Sequence, residues 1–237
     1  RNGGYDTRIF TPEQELPFAG HPTLGTAYVI QQKIVKQNVD KLVLNLGVGQ
    51  IPVTFSYKGE QPDTLFMKQT QPTFGQAFNT ETISKILSLG NKDIDSKYPI
   101  EEVSTGVPFI IVPLNTLDAV RRARINRDKY LQLVEKTWAK SILVFCSETY
   151  NPGNDLSVRV FADYVGVPED PATGSANGCL AAYLVRHRYF GKPSVNVRVE
   201  QGYEIGRPSL LLLKAEDKAG TIDVHVGGRI VMVAEGR

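Results

Sequence analysis

An imperfect internal repeat constrains this chain more than any other feature of its sequence. In the first half, Arg8-Ile9-Phe10 leads through a polar loop to Gly20-His21-Pro22 and an apolar stretch. In the second half, Arg159-Val160-Phe161 leads in the same way to Gly174-Ser175-Ala176 and a second apolar stretch. Each copy thus has a strand with Arg-x-Phe, a loop with proline and acidic residues, and a glycine before a helix. Duplication of this kind predicts two similar halves, although a chance match is an open alternative.

The periodicity of apolar residues predicts four helices, at 22–33, 80–89, 116–139 with a break, and 176–187. Apolar or small residues surround almost the whole circumference of the first and last of these, which predicts helices buried on every side. A strongly curved antiparallel sheet wrapped around each would bury them. The expected fold is therefore α+β, with two domains, each a curved, mostly antiparallel sheet around a central helix.

Short segments rich in β-branched and aromatic residues predict that strands dominate the chain. The candidate strands are 7–10, 41–46, 51–55, 64–68, 109–112, 141–146, 157–161, 196–200, 210–214, 221–226 and 229–233. Glycines at 47–49 and at 227–228 each separate two of them, which predicts two hairpins. With the final strand returning to the first half, the predicted domains are 1–99 plus 229–237, and 100–228.

The starts of the two apolar helices are where chemistry is expected. Pro22 suits the first helical position, which makes His21 the predicted N-cap, and Ser175 occupies the corresponding place before the second helix. A helix start offers unpaired N–H groups to a carboxylate or oxyanion, and Gly20 and Gly174 let a ligand approach the backbone closely. Two such starts facing each other across a cleft would bind one small anion and stabilise the charge that develops when a proton leaves carbon.

The polar residues at these starts are the candidate site. His21, Asp170 and Ser175 are the candidate catalytic residues, and Gly20, Thr173 and Gly174 are the candidate substrate-binding residues. Each also has an ordinary structural explanation, since His21 and Ser175 could act only as helix caps and Asp170 could serve only as a turn former before a proline. Three dispersed histidines predict no metal site, and the Walker lysine and the dinucleotide-binding pattern are both lacking.

Charge and cysteine content narrow the class of protein further. Across 237 residues, 27 Lys+Arg against 25 Asp+Glu leave a net charge of +2, which argues against nucleic acid as a partner. Two cysteines, Cys146 and Cys179, form no disulfide framework and favour the cytoplasm. Apolar runs are far shorter than the roughly 20 residues of a spanning helix, so no membrane segment is expected. The chain begins at Arg1 without a methionine or a visible signal peptide, which suggests an internal starting point.

Three stretches together resemble the phenazine-biosynthesis PhzF-like family, which is related in fold to diaminopimelate epimerase. They are residues 8–27, residues 166–176 and the late segment 200–209, Glu-Gln-Gly-Tyr-Glu-Ile-Gly-Arg-Pro-Ser. The resemblance spans most of the chain and implies two epimerase-like domains with the active site in the cleft between them, and a homodimer. It also implies proton removal and return at carbon without metal or organic cofactor. His21, Asp170 and Ser175 match the family's polar cleft residues, and Gly20 and Gly174 line the substrate.

One family feature has no counterpart in these residues. The family's catalytic acid–base is a glutamate in an Asn-Leu-Ser-Glu-type segment that would precede Arg1, together with a first strand and helix of the first domain. The chain is therefore expected to be the remainder of a longer protein, or alternatively a truncated homologue with impaired catalysis.

Three functions follow as hypotheses. The first is a cofactor-independent isomerase or epimerase that acts on a small carboxylate-bearing metabolite. The second is a non-catalytic protein that binds a small anion but lacks the acid–base glutamate. The third is a thiol racemase using Cys179, which is disfavoured because the two helix starts hold Gly20-His21 and Gly174-Ser175 in place of the cysteine pair of thiol-dependent relatives.

Overall fold

A computed structural model of the chain describes residues 3–10, 15–16 and 18–236. Residues 11–14 and 17, which belong to the first copy of the repeat, lie outside the described residues. The chain divides into two compact units, Arg1–Gln69 with His225–Arg237, and Thr70–Val224. They are called unit 1 and unit 2 below. In the part of the chain that the structure describes, no helix has the length and apolar character needed to cross a bilayer.

Strands outnumber helices, as the sequence predicts. The described strands are β1 (Tyr5–Asp6), β2 (Ile9–Phe10), β3 (Glu15–Leu16), β4 (Lys41–Leu46), β5 (Gly49–Lys58), β6 (Gln61–Lys68), β7 (Thr73–Phe78), β8 (Ile100–Ser104), β9 (Pro108–Pro113), β10 (Ser141–Cys146), β11 (Leu156–Ala162), β12 (Val167–Asp170), β13 (Ser194–Gln201), β14 (Ser209–Lys218) and β15 (Thr221–Gly228). The described α-helices are α1 (Gly20–Val29), α2 (Thr80–Ile86), α3 (Leu117–Arg122), α4 (Arg127–Val134) and α5 (Gly174–Arg186). The break predicted within 116–139 is the interval between α3 and α4.

Unit 1 is a small sheet with one helix against it. Its strands run in the order β1, β4, β5, β6, followed by the last residues of β15, and β2 and β3 form a separate hairpin. The hairpin predicted at 47–49 is confirmed, because Leu46 pairs with Gly49 between β4 and β5. Along β4, Leu42, Leu44 and Leu46 are buried in alternation with less buried residues, which places one face of the sheet against α1.

Helix α1 is buried on one face only. Thr23, Leu24 and Ala27 are its buried residues, whereas Val29 is 42% exposed. A π-helical turn, Ile30–Val35, continues the chain beyond it. The prediction that this helix is buried on every side is therefore wrong, because the sheet of unit 1 covers one side and no described residue covers the opposite side.

Unit 2 has its sheet wrapped around α5. The strand order is β15, β14, β13, β11, β10, β9, β8, β7, with β12 paired to β11. Helix α5 contacts β13 and β14 near one end of this order and β8 and β9 near the other, so the sheet must curve around the helix. Residues 176–185 are all buried, which confirms the prediction for this helix. The α+β fold with a curved, mostly antiparallel sheet is likewise confirmed.

The central strands of unit 2 are covered on both faces, which explains their uninterrupted apolar sequences. On the inner face, the ring of Phe145 in β10 meets the ring of Tyr183 in α5 with centroids 5.8 Å apart. On the outer face, Ile142 and Val144 of the same strand belong to one core cluster with residues of α2, α3 and α4 such as Tyr130. Because α2 and its neighbours join this cluster and β7 pairs with β8, residues 73–98 belong to unit 2. The predicted domains, 1–99 plus 229–237 and 100–228, stay a prediction.

The predicted turn at 227–228 is wrong. Gly227 and Gly228 are the last residues of β15 and pair with Phe66 and Leu65 of β6. A Cβ at Gly227 would lie 2.5 Å from both the Leu65 carbonyl oxygen and the Phe66 ring, so this glycine permits close strand approach. The predicted strand 229–233 is also absent, since residues 229–236 have no ladder partner among the described residues and stay largely exposed.

Candidate functional site

Both apolar helices start at a glycine, two residues before the predicted starts at 22 and 176. The N-caps are Ala19 for α1 and Thr173 for α5, because their carbonyl oxygens accept the first helical hydrogen bonds, from the amides of Thr23 (3.3 Å) and Asn177 (3.0 Å). His21 and Ser175, the predicted caps, therefore occupy the second position of their helices. This displacement places their side chains on the first helical turn, beside the free amides, instead of over the helix end.

Neither helix start has a side-chain cap. Ala19 has no polar side-chain atom, and the side chain of Thr173 makes no capping bond to its helix. Within the described ranges, no side chain accepts from the first amides of either helix, which leaves their hydrogens for another acceptor. A missing cap costs about 1 kcal/mol of helix stability, so two uncapped glycine starts in corresponding places are typical of anion-binding backbone.

The two starts share a second detail. In α1 the Thr23 hydroxyl donates to the Ala19 carbonyl oxygen at 2.7 Å, and in α5 the Asn177 Nδ2 donates to the Thr173 carbonyl oxygen at 3.0 Å. Thr23 and Asn177 are both fully buried fourth residues of their helices. Each N-cap carbonyl thus accepts a backbone and a side-chain hydrogen bond, which holds the helix start in one conformation.

The strand before each helix carries the same ion pair. Arg8 bonds Glu15 through Nε and Nη2 at 2.9 and 2.6 Å, and Arg159 bonds Glu169 through the same atoms at 2.9 and 2.7 Å. Each arginine also lies over the phenylalanine two residues later, with the guanidinium carbon 4.8 Å from the ring centroid. Both glutamates lie five residues before the helix glycine, so the two copies of the repeat have the same local geometry.

Four of the predicted site residues lie together in unit 2. Asp170 ends β12, and its Oδ2 accepts a 2.6 Å hydrogen bond from the Thr173 hydroxyl, immediately before Gly174 and Ser175 begin α5. All four are half-buried. The Ser175 hydroxyl forms no hydrogen bond to the described residues, which leaves it open to a ligand.

The other two predicted site residues, Gly20 and His21, lie in unit 1. Gly20 is half-buried at the start of α1, and the neighbouring His21 is exposed. The His21 ring makes no hydrogen bond to a described residue, so its position alone, next to the free amides of the helix start, connects it with a site.

A buried amide missed by sequence reasoning supports the unit 2 site. Gln201, at the end of β13, is 1% exposed and hydrogen-bonds to Asp170, Thr173 and Asn177. It lies 28 residues from Thr173 in sequence, and no local pattern connects the two. The available signal was its place in the late segment 200–209.

The residue before this glutamine anchors the neighbouring loop. The carboxylate of Glu200, 1% exposed, accepts hydrogen bonds from the Tyr150 and Asn151 amides and from the side chains of Asn151, Asn154 and Ser157. Burial alone would raise the pKa of Glu200, but these hydrogen bonds outweigh it and the pKa is lowered. The Glu200 carboxylate is therefore charged and fully hydrogen-bonded beneath the loop at residues 150–154.

The thiols lack the properties of a nucleophile. Cys146 and Cys179 are both buried and unpaired, and burial raises the pKa of each thiol to about 12. The Cys179 sulfur faces the Thr105 hydroxyl at 3.8 Å and the Val107 carbonyl at 3.4 Å. A thiolate at neutral pH is thus disfavoured at both positions. Among the described residues, no group of three His, Cys, Asp or Glu side chains could hold a metal ion.

A curved sheet wrapped around a central helix that starts at an uncapped glycine is the architecture of the epimerase-like fold. A hydroxyproline epimerase from Agrobacterium vitis shares the fold, with a TM-score of 0.57 over 94% of this chain and 67% of that chain, at 12% identity. The structure of a PhzF-family phenazine biosynthesis protein from Bacillus anthracis matches with a TM-score of 0.84 at 27% identity, over 94% of this chain and 77% of that chain.

Sequence comparison gives the family. The family model described as phenazine biosynthesis-like protein, PhzC-PhzF, matches residues 1–236, and the chain belongs to this family. A trans-2,3-dihydro-3-hydroxyanthranilate isomerase of Pseudomonas fluorescens is 35% identical over 240 residues, which cover all of this chain and 80% of the relative. The family prediction is confirmed, and the relative's name agrees with the prediction of an isomerase.

Proposed function

We propose that the protein is a cofactor-independent isomerase that removes a proton from a carbon of a small carboxylate metabolite and returns it to carbon. The observation that carries the proposal is Asp170, whose carboxylate is held 2.6 Å from the Thr173 hydroxyl at the uncapped start of α5. A proton acceptor beside free amides is what this chemistry needs, because the base takes the proton while the amides stabilise the developing negative charge.

Each candidate residue has a role in the proposal. Asp170 accepts the proton, and the amides of Gly174 and Ser175 bind the substrate carboxylate or the oxygen that gains charge. The Ser175 hydroxyl adds a donor to the same oxygen. His21, with the start of α1, orients the substrate and shuttles protons, alongside an acid–base glutamate of the kind that the family resemblance implies.

The first substrate to test is trans-2,3-dihydro-3-hydroxyanthranilate, because relatives from two Pseudomonas species carry its name. The experiment incubates the protein with this compound in ²H₂O and follows deuterium incorporation at carbon by mass spectrometry. We expect incorporation by the unaltered protein and a loss of about 10²- to 10⁴-fold for Asp170→Asn. Asp163→Asn is the matched control, since Asp163 belongs to the same segment but pairs with Arg127 on the surface.

The isomerase proposal would be overturned if the protein binds the compound without exchanging its hydrogen for deuterium. If calorimetry detects the compound or related cyclic amino acids while none gains deuterium, the protein is the small-anion binder that forms the second candidate. That candidate is favoured by the uncapped start of α5, which binds an anion whether or not an acid–base group is present.

The proposal also covers assembly and location. We propose a homodimer in the cytoplasm, on the strength of the family resemblance and of two unpaired cysteines. Light scattering of the purified protein checks the first point, because a monomer at all concentrations would contradict it. Neither nucleic acid nor membrane is a proposed partner.

A further inference from the structure

The amide of Gln201 is fully hydrogen-bonded to the segment that carries Asp170. Its Nε2 donates to the Asp170 carbonyl oxygen at 2.6 Å and to the Thr173 hydroxyl oxygen at 3.0 Å. Its Oε1 accepts from the Thr173 amide at 3.2 Å and from the Asn177 Nδ2 at 2.9 Å. One side chain of β13 thus satisfies both ends of the turn that leads into α5.

The orientation of this amide is fixed by its partners. A carbonyl oxygen can only accept, and a backbone N–H can only donate. Exchanging the Gln201 nitrogen and oxygen would therefore place one acceptor against another at the Asp170 carbonyl, and one donor against another at the Thr173 amide. The Asn177 amide is fixed in the same way, because its Nδ2 lies between the Thr173 carbonyl and the Gln201 Oε1. The polarity of the network therefore follows from the backbone.

This polarity determines what the Thr173 hydroxyl can do. Its oxygen accepts the Gln201 Nε2 hydrogen, so its single proton points to the Asp170 Oδ2 at 2.6 Å. A chain of donors then runs from Gln201 through Thr173 and ends at Asp170. Asp170 Oδ2 is thereby held as the acceptor of the Thr173 proton. Among the described residues none donates to the Asp170 Oδ1, so this oxygen is left for the substrate proton.

We propose that Gln201 is a positioning residue that directs the Thr173 hydroxyl onto Asp170 Oδ2 and keeps Oδ1 as the proton-accepting atom. The inference rests on the proposed function, since it gives Asp170 the role of base. Gln201 itself acts only through Thr173 and the loop. Because Gln201 lies far from Asp170 in sequence, only the structure shows that the two residues interact.

The test is detection of the Thr173 hydroxyl proton by ¹H NMR, assigned by its loss in Thr173→Val. A proton held in the 2.6 Å hydrogen bond to Asp170 exchanges slowly with water. In Gln201→Glu the donor is replaced by a second acceptor, so the Thr173 proton is no longer directed to Asp170 alone and its exchange should become about tenfold faster. Asn196→Asp adds the same charge at an exposed position of the same strand and is expected to leave the exchange rate unchanged.

A neutral variant separates positioning from charge. Gln201→Met keeps the side-chain length and removes every hydrogen bond, so we expect deuterium incorporation to fall at least tenfold with KM changed much less, in a protein whose thermal melt is still cooperative. The inference is refuted if the Thr173 hydroxyl proton exchanges at the same rate in the unaltered protein and in Gln201→Glu. Failure of the proposed function has a different signature, because Asp170→Asn would then incorporate deuterium at the normal rate.

Discussion

Arg159 and Glu169 form a two-pronged ion pair across the β11–β12 hairpin, with side chains that are only 4% and 10% exposed. The other nitrogen of the guanidinium, Nη1, donates to the carbonyl oxygens of Val120 and Ala123 at the end of α3, at 2.9 and 2.8 Å. One buried arginine therefore joins the hairpin before the site to the helix layer on the outer face of the sheet. The corresponding pair in unit 1, Arg8 with Glu15, is 69% and 45% exposed.

We expect the two copies of this ion pair to differ sharply in their contribution to stability. Glu169→Gln removes the nearer of two buried countercharges and leaves the Arg159 guanidinium with Glu204 alone, 3.9 Å from Nε, so the free energy of unfolding should fall by about 3 kcal/mol. Glu15→Gln is the matched control and should leave the urea midpoint almost unchanged, because exposed pairs contribute little. Equal losses in the two variants, measured by urea unfolding, would show that burial is not the cause.

The two repeat helices allow a second matched comparison. Val185 near the end of α5 is fully buried, whereas Val29 at the end of α1 is 42% exposed. Val185→Ala should lower the free energy of unfolding by about 2 to 3 kcal/mol, through lost apolar contact and a residual cavity. Val29→Ala should change it by less than about 0.5 kcal/mol. Chemical denaturation measures both, and a large loss at Val29 would indicate that α1 is covered on both faces in solution.

Gly202 is a third test, since it fixes the backbone behind the site. Its φ is +84°, and a Cβ there would lie 2.3 Å from the Arg207 carbonyl oxygen and 2.9 Å from that of Pro171, the residue after Asp170. Gly206 also has positive φ, +69°, but no atom within 4 Å of an added Cβ. Gly206→Ala should therefore cost about 1 kcal/mol from backbone strain alone, and Gly202→Ala roughly 1 to 3 kcal/mol more.

The activity of the glycine variants adds a second measurement. Because the clash at position 202 displaces the Pro171 carbonyl, Gly202→Ala should also reduce deuterium incorporation, whereas Gly206→Ala should not. If both variants lose stability equally and neither loses activity, the close approach to Pro171 has no role in the site.

The sequence was sufficient for those parts of the fold that depend on local pattern. The repeat located the two glycine helix starts to within two residues, and apolar periodicity identified α5 and the paired strands β4 and β5. It failed where the deciding contact is distant, as at Gly227, whose neighbour is a strand about 160 residues earlier. It failed for the same reason at Gln201, because nothing near position 201 states that its amide meets Asp170.

The coverage of α1 is another property that local pattern does not determine. Both repeat helices are apolar around their circumference, yet only α5 has strands of its own unit on several sides. Sequence periodicity reports what a helix can bury, whereas the number of strands that reach it is set by topology.

The buried carboxylate of Glu200 makes stability depend on acid pH. Burial raises the pKa of Glu200, but hydrogen bonds from Asn154, Tyr150 and Asn151 outweigh this effect and hold the pKa in the folded protein below the ordinary value of 4.5. The unfolded chain therefore binds this proton more tightly, and the stabilisation is fully present above about pH 4.5 and is lost as the pH falls through the folded-state pKa.

Glu200→Gln should lower the free energy of unfolding by about 2 to 3 kcal/mol at pH 7, because the NH₂ group of the new amide would face the N–H donors of Asn151 and Asn154. The difference from the unaltered protein should shrink as the pH falls below 4.5, as measured by urea unfolding at each pH. Glu216→Gln, at an exposed position of β14, reports the general effect of removing a carboxyl group. A difference for Glu200→Gln that stays constant as the pH falls below 4.5 would contradict the role of the charged carboxylate.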